Sequence, residues 1–553
     1  MIINNSYYTK KRQCFGSLSS VTTQVLRYLN TNPSLGATSV DLTSMSVPRT
    51  VIDGVNRGLD AGAETGVREG SGTGNHALIG TYGLLASALL SQGINKTFNV
   101  KANKIFTNFE SIDTIGSIWH DLVKANQNTS PKELRKLLFE KVLTLAKGKA
   151  QNQEGHLVEV CVDKESAQMF MKEISQFIEQ NPDSYKISNN LFNRLKTIIA
   201  KSTTAENDFI LKNAKYSMET DLENLLKSTF SLGKLFSEPK ALKVFKNSAE
   251  LGTNKFIKML KNTKLKSSVL GVAIGMAIGA MVQPFNVWLT KKRTGKEGFV
   301  GVEGEKPDNS LKFKVKKAAT ALAFLAFGYA TIVGNIFKIP LSKQIPLFLN
   351  KMQFNGLIPS IAQFKAVYAF TIASRLFSSR SENELRESKT KDFLGYINWL
   401  ILGDFVNKTI ASLSKHNLTN YDPNVHGKGI LKRIFNSKVK VKTHDEILFE
   451  ELKKHNMPKS MLTSLNGNIL DSKQLLKLYY DKLPNLKARI RGKNIAQLSG
   501  YLYSMLVLGI LIPKINIAIT NHFREKNKKQ QDINNQFINS SGNENFKIFY
   551  STT

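Results

Sequence analysis

Cysteine is nearly missing from this sequence: its 553 residues hold two, Cys14 and Cys161. At most one bridge can form, so a disulfide-stapled scaffold is excluded. Fourteen prolines are too few for a proline-rich or collagen-like chain. Negative charge is also short, with 43 Asp and Glu against 77 Lys and Arg, a formal net charge of +34. Such an excess calls for a polyanion or a negative surface nearby, and anionic lipid head groups and nucleic acid both qualify. Hydrophobic residues make up 41% of the chain, too many for wholesale disorder. The first 30 residues contain no apolar run of leader length, so a cleaved secretory signal is not expected.

What the chain has is long runs without Asp, Glu, Lys or Arg: residues 70–95, 267–290, 318–337 and 494–513. Run 267–290 reads SSVLGVAIGMAIGAMVQPFNVWLT. As a helix it reaches about 36 Å, more than the hydrocarbon thickness of about 30 Å. Lys264 and Lys266 flank one end, Lys291, Lys292 and Arg293 the other, and Trp288 lies where an interfacial ring belongs. Runs 318–337 and 494–513 have similar basic flanks. These three are the leading span candidates. Segments 77–93, 352–377 and 393–413 are weaker, which leaves three to six spans. Lys365 and Asp404 fall inside two of the weaker segments. Ionisable groups in apolar segments are costly and usually paired or functional, so these two are read as an intramembrane pair, with Arg375 as another partner for Asp404. The plainer alternative is that the helices end there or their side chains reach back to the interface.

Glycine spacing is the most distinctive local pattern. Gly54, Gly58, Gly62, Gly66, Gly70 and Gly74 recur every fourth residue. On a helix they share one face, and glycine costs about 0.8–1.0 kcal/mol against alanine there, so close packing must compensate. The spacing predicts a helix whose glycine face meets another backbone, within the chain or between copies. Gly271, Gly275 and Gly279 form a second stripe inside the first strong span, of the kind that lets helices associate in lipid. Ala326, Ala330 and Gly334 form a weaker one, which predicts that runs 267–290 and 318–337 pack as a hairpin. Residues 279–293 and 509–524 also share a faint pattern, read as the shared chemistry of a helix leaving the membrane, with a repeated unit as the alternative. Each has a glycine, an asparagine seven residues on (Asn286, Asn516) and a threonine four further (Thr290, Thr520).

The remaining organisation follows from polarity. Residues 1–48 read as a disordered arm, 49–95 as the glycine-striped helix plus a short apolar segment, and 96–266 as a basic helical region. Residues 267–413 hold the hydrophobic membrane helices, 414–493 a second basic helical region, 494–524 a membrane helix and its exit, and 525–553 a polar tail. Region 414–493 carries 17 Lys and Arg against 7 acids. Ser130-Pro131 with Glu133, Thr443 with Glu446, and Asp471 are helix starts. Residues 156–163 (HLVEVCVD) suggest a strand with no evident partner. Charge leaves orientation open. The positive-inside rule puts loop 291–317, with nine Lys and Arg, in the cytoplasm, yet a five-span arrangement then exports the first 266 residues.

Chemistry is sparse. None of the eight histidines pairs at i,i+4, no HExxH or P-loop pattern occurs, and neither cysteine has a CxxC partner. No catalytic residue, metal ligand or cofactor is expected. The sequence therefore reads as a mainly α, multi-span helical membrane protein with basic helical extramembrane regions and disordered termini. Its expected role is that of a non-enzymatic scaffold or membrane-organising protein associating through glycine-striped helices. Expected partners are the lipid bilayer, anionic lipid in particular, and further copies of the chain. A pore or transporter built on Lys365 and Asp404 is the first rival, and a soluble basic nucleic-acid-binding protein the second.

Overall fold

The computed structural model describes residues 18–31, 33–151, 157–203, 209–212, 215–302, 305–334, 336–356, 358–455, 462–463, 469–526, 529, 532–533 and 535. The fold is mainly helical. Helices α1 (Leu18–Thr31) and α2 (Pro33–Val40) lead through a π-helical segment, Asp41–Ser46, into α3 (Val47–Arg57). Residues 18–31 and 33–46 thus depart from the disordered arm expected over 1–48; residues 1–17 and the end of the tail, 536–553, lie outside the described residues. Distant groups hold this stretch. The Trp399 indole donates to the Ala37 carbonyl at 3.0 Å, and Arg27 Nε to Asp445 at 2.6 Å.

Gly58 breaks the expected glycine helix. At φ +91° it occupies backbone space that favours glycine, and the chain doubles back from α3 into α4 (Leu59–Leu90). The stripe packs on itself in this hairpin: a Cβ on Gly62 would sit 2.7 Å from the Gly54 Cα, and one on Gly66 3.2 Å from the Thr50 methyl. Gly70 and Gly74 face open space. Helix α5 (Gln92–Phe98) then bends 46° away from α4.

A first core gathers α6 (Phe109–Ala125), α7 (Pro131–Leu145), α8 (Lys164–Gln180), α9 (Asn189–Ala200), α10 (Leu222–Phe236) and α11 (Pro239–Asn247) around Trp119, Phe139, Phe170, Phe230 and Phe236. Its antiparallel sheet runs β2-β1-β3-β4, from β1 (Ala146–Gln151), β2 (Leu157–Cys161), β3 (Phe209–Lys212) and β4 (Ser217–Thr220). Strand β2 lies in the segment that lacked an evident partner. Its partner β1 reads AKGKAQ, with no apolar alternation to announce it.

Helix α12 (Lys255–Thr294) starts in this core with Phe256, Ile257 and Leu260, then runs into a second, apolar bundle. That bundle holds α4, α13 (Leu311–Val333), α14 (Leu341–Lys351), α15 (Ile361–Phe377), α16 (Glu382–Ile397) and a π-helical segment, Asn398–Leu402. A third core joins α17 (Gly403–Leu413) with α20 (His444–Lys454) and α21 (Ser472–Tyr479), beyond the short α18 (Pro423–His426) and α19 (Ile430–Phe435). Helix α22 (Pro484–Ser504) rises from it and continues through π-helical Met505–Leu511 back into the bundle. Among the described residues, Lys255–Thr294, Leu311–Val333 and Pro484–Lys526 are long and apolar enough to cross a membrane; the bent pair α4–α5 makes a fourth if counted as one span.

The expected hairpin of α12 with α13 does not form. The glycine face of α12 meets α4 and α15: Cβ atoms on Gly271, Gly275 and Gly279 would lie 2.8 Å from the Gly83 Cα, 3.1 Å from Val367 and 2.6 Å from Thr371. Helix α13 packs instead on α15, where Gly328 backs onto Ala369. The 27 or so residues between the two runs are long enough to carry the chain past its nearest neighbour.

Candidate functional site

Along α4, α12 and α22, polar side chains are buried and large apolar ones exposed. On α12, Ser267, Ser268, Gln283, Asn286 and Thr290 are buried, while Val269, Ile278, Met281, Phe285 and Trp288 are exposed. On α4, Glu64, Arg68, Glu69, Asn75 and His76 are buried, and Leu59, Leu78, Leu85 and Leu89 are exposed. Along α22 and its continuation, Gln497, Ser504, Asn516 and Thr520 point inward and Ile495, Leu502, Leu506 and Leu511 outward.

At the centre of this inverted bundle lies an ion-pair network. Arg375 on α15 reaches Asp392 at 2.9 Å and Glu69 at 3.2 Å. Arg49 on α3 meets the other Glu69 oxygen at 3.4 Å and donates to the Leu508 carbonyl at 3.2 Å. Lys391 on α16 lies 3.4 Å from Asp53, which also accepts from Thr65 at 2.6 Å. Arg57 joins Asp53 to Glu387. Arg380 joins Glu64, at 2.6 Å, to Glu384, at 3.0 Å, and Arg68 lies 3.5 Å from Glu69. Six cations thus face six carboxylates, and no side chain among them is more than 8% exposed. Local sequence explains the placement. Asp53, Arg57, Glu64 and Arg68 flank the glycines of the α3–α4 hairpin, so folding at Gly58 turns both charged edges toward α15 and α16.

The two asparagines of the faint repeat serve this network alike. Asn286 Nδ2 donates to the Glu64 carbonyl at 3.3 Å, and Asn516 Nδ2 to the Glu387 carbonyl at 3.4 Å. Thr290 and Thr520 are buried one turn further on. Deeper in the bundle, His76 Nδ1 lies 3.0 Å from Asp41 on the first π-helical segment, with the rings of Phe364, Tyr368 and Trp399 around it at centroid distances of 5.1–5.9 Å.

The structure does not bring Lys365 and Asp404 together as an ion pair. The Lys365 ammonium donates to the Thr331 carbonyl at 3.4 Å, and Asp404 lines a cleft beside Lys408 and Lys493. Arg375 serves Glu69 and Asp392, not Asp404.

A second charged knot ties α1, α9, α20 and α21 together. Asp445, near the start of α20, accepts from Arg27 on α1 and from Lys196 on α9, both at 2.6 Å, and from Ser472 on α21 at 3.0 Å. Burial by itself raises the Asp445 carboxyl, but Lys196 and Arg27 overcome that and hold it well below the usual carboxylate range. Burial, reinforced by Lys493, pushes the neighbouring His444 down to about 4. Its Nε2 meets Asn494 Oδ1 at 2.8 Å.

Among the described residues, no group of three or more His, Cys, Asp or Glu is placed to hold a metal ion. Cys161 is exposed and unbridged; Cys14 lies outside the described residues. The six cations and six carboxylates balance one another's charge and tie α3, α4, α15 and α16 together. Removing one member leaves a charge stranded in an apolar surrounding. Comparison of the chain with protein-family models, curated proteins and solved structures gives no match.

Proposed function

We propose that the chain is a multi-pass integral membrane protein that acts as a non-enzymatic, membrane-anchored scaffold. The observation that carries this reading is the inverted polarity of α12. A helix with Phe285, Met281 and Ile278 outside and Gln283, Asn286 and Thr290 inside is matched to acyl chains, because water rewards the opposite arrangement. The two basic helical regions then form a platform at one end of the bundle, suited to an anionic head-group surface. Gly62 and Gly66 and the α12 stripe are engaged within the chain, whereas Gly70 and Gly74 of the α4 stripe stay open to another copy. Extraction of membranes with alkaline carbonate tests the reading. The protein should stay in the pellet and leave only with detergent; release into the carbonate wash would remove the membrane assignment.

A second reading, ion-coupled transport, draws on one observation: ionisable side chains run from His76–Asp41 to Arg57–Glu387 through an apolar bundle. Intramembrane ionisable groups commonly mark ion or proton paths. Reconstituted liposomes should then pass protons or small ions, and Glu69→Gln should abolish the flux. Liposomes as tight as protein-free controls would sink this second reading and leave the first standing.

A further inference from the structure

A cleft of about 1220 Å³ opens where the basic platform meets the bundle, larger than the roughly 300–1,000 Å³ usual for small-ligand pockets. Two helical faces wall it. Gly403, Asp404, Asn407 and Lys408 come from α17, and Lys493, Gln497, Gly500 and Ser504 from α22. These residues recur at i, i+3 and i+4, so each set shares one side of its helix. The walls are fixed against each other, since a Cβ on Gly500 would lie 2.9 Å from the Gly403 carbonyl oxygen.

The lining changes character along the cleft. Toward the bundle it is Ala37, Val40, Ile361, Trp399 and Leu400; toward the platform it is Lys196, Lys408, Lys440, Thr443 and Lys493, with Asp221 and Glu223 among them. Two of the lining lysines have work elsewhere: Lys196 is held by Asp445 and Lys408 by the Asn436 carbonyl. Lys493 differs. It is fully buried, and Asp404 and Glu446 act on it only through space, without a hydrogen bond. A buried ammonium without a bonded anion is costly and is relieved by a ligand that brings one. Two other oxygens on the same walls, Gln497 Oε1 and Asn407 Oδ1, have no hydrogen-bond partner among the described residues. Each calls for a hydrogen-bond donor.

We propose that this cleft binds an anionic glycerophospholipid, with its phosphate on Lys493, its head-group hydroxyls donating to Gln497 and Asn407, and its acyl chain along Val40, Trp399 and Leu400. The anion answers the ammonium, the hydroxyls answer the two acceptors, and the chain answers the apolar wall. A free phosphate satisfies only the first of these, and a choline lipid lacks the donors. The proposal builds on the membrane reading, which supplies the lipid, but it is tested apart from it.

The test is native mass spectrometry of the full chain in a non-ionic detergent, titrated with dihexanoyl phosphatidylglycerol. One lipid should bind per chain. Dihexanoyl phosphatidylcholine should bind at least 10-fold more weakly, and inorganic phosphate should not displace the bound lipid. Lys493→Met should weaken phosphatidylglycerol at least 10-fold and Lys493→Arg should retain it. Ala37→Phe, which fills the apolar end without touching the charge, should weaken it as well and keeps the test valid if Lys493→Met fails to fold. Equal affinity for the two lipids, displacement by phosphate alone, or full binding by the folded Lys493→Met or Ala37→Phe protein would overturn the assignment. A carbonate-extractable protein that still binds phosphatidylglycerol at this cleft would refute the membrane reading and not the site.

Discussion

Glu69 and Arg375, 306 positions apart in the chain, meet at 3.2 Å with side chains only 2% and 1% exposed. The contact locks the α3–α4 hairpin to α15, and Asp392 on the far side of the same guanidinium extends the lock to α16.

Truncating this contact should therefore be severe. Glu69→Gln leaves Arg49, Arg68 and Arg375 facing a neutral amide, and breaking a buried pair from one side costs about 3–5 kcal/mol. Thermal unfolding of the detergent-solubilised protein should show a large drop. A midpoint equal to that of the unaltered protein would mean that the network does not hold the helices in register.

Glycines in the two stripes should differ sharply in tolerance. Gly271→Ala drives a methyl group to within 2.8 Å of the Gly83 backbone, which cannot swing aside as a side chain can. Overpacking of this kind costs about 1–3 kcal/mol. Gly70→Ala meets nothing within 4 Å and should be neutral or stabilising by up to about 1 kcal/mol. Urea or thermal titrations that rank the two variants the other way would contradict the observed packing.

Acid should weaken the platform in two stages. The folded pKa of His444 is depressed to about 4 against about 6.5 unfolded, so the unfolded chain binds the extra proton between those values and stability falls as pH drops through that window. Asp445 is depressed too. Its contribution is present above the unfolded value of about 3.9 and is lost as pH falls below it. His444→Gln should flatten the upper stage. Asp445→Asn should remove the lower stage and also lower stability at neutral pH, because Arg27 and Lys196 lose their shared acceptor. Chemical denaturation across pH 7 to 3 reads both; an unchanged slope between pH 6.5 and 4 in His444→Gln would rule out the His444 assignment.

Much of the scaffold is legible in sequence because local chemistry decides it. The capping residues Ser130, Thr443 and Asp471 start helices where their side chains accept from backbone N–H groups three residues on. The apolar runs around Gly275 and Leu508 form long helices in the bundle. The network is not legible in the same way. Arg49, Glu69, Arg375 and Asp392 are spread over more than 340 positions, and each taken alone resembles a solvated surface charge. The only sequence trace was the pairing of charges with a glycine repeat at 53–70, whose fold-back at Gly58 is a backbone event that helical periodicity hides. Lys365 and Asp404 were conspicuous because their segments are apolar. Conspicuous charges need not be neighbours: packing sets Lys365 against the Thr331 carbonyl and Asp404 in the cleft beside Lys408 and Lys493. Asn286 and Asn516, at matching places in the faint pattern, both point inward and donate to backbone carbonyls of network residues.

The account rests on the outward face of α12 being solvated by acyl chains, and site-directed spin labelling measures that directly. Single cysteines would be placed at Lys266, Ile278, Met281, Phe285 and Lys292, with Cys14 and Cys161 replaced by serine, in protein reconstituted into liposomes. Collisions with oxygen should dominate at 278, 281 and 285, and collisions with a water-soluble nickel chelate at 266 and 292. Strong nickel access along the whole face, with no oxygen maximum at its centre, would show that α12 faces water and would contradict the account.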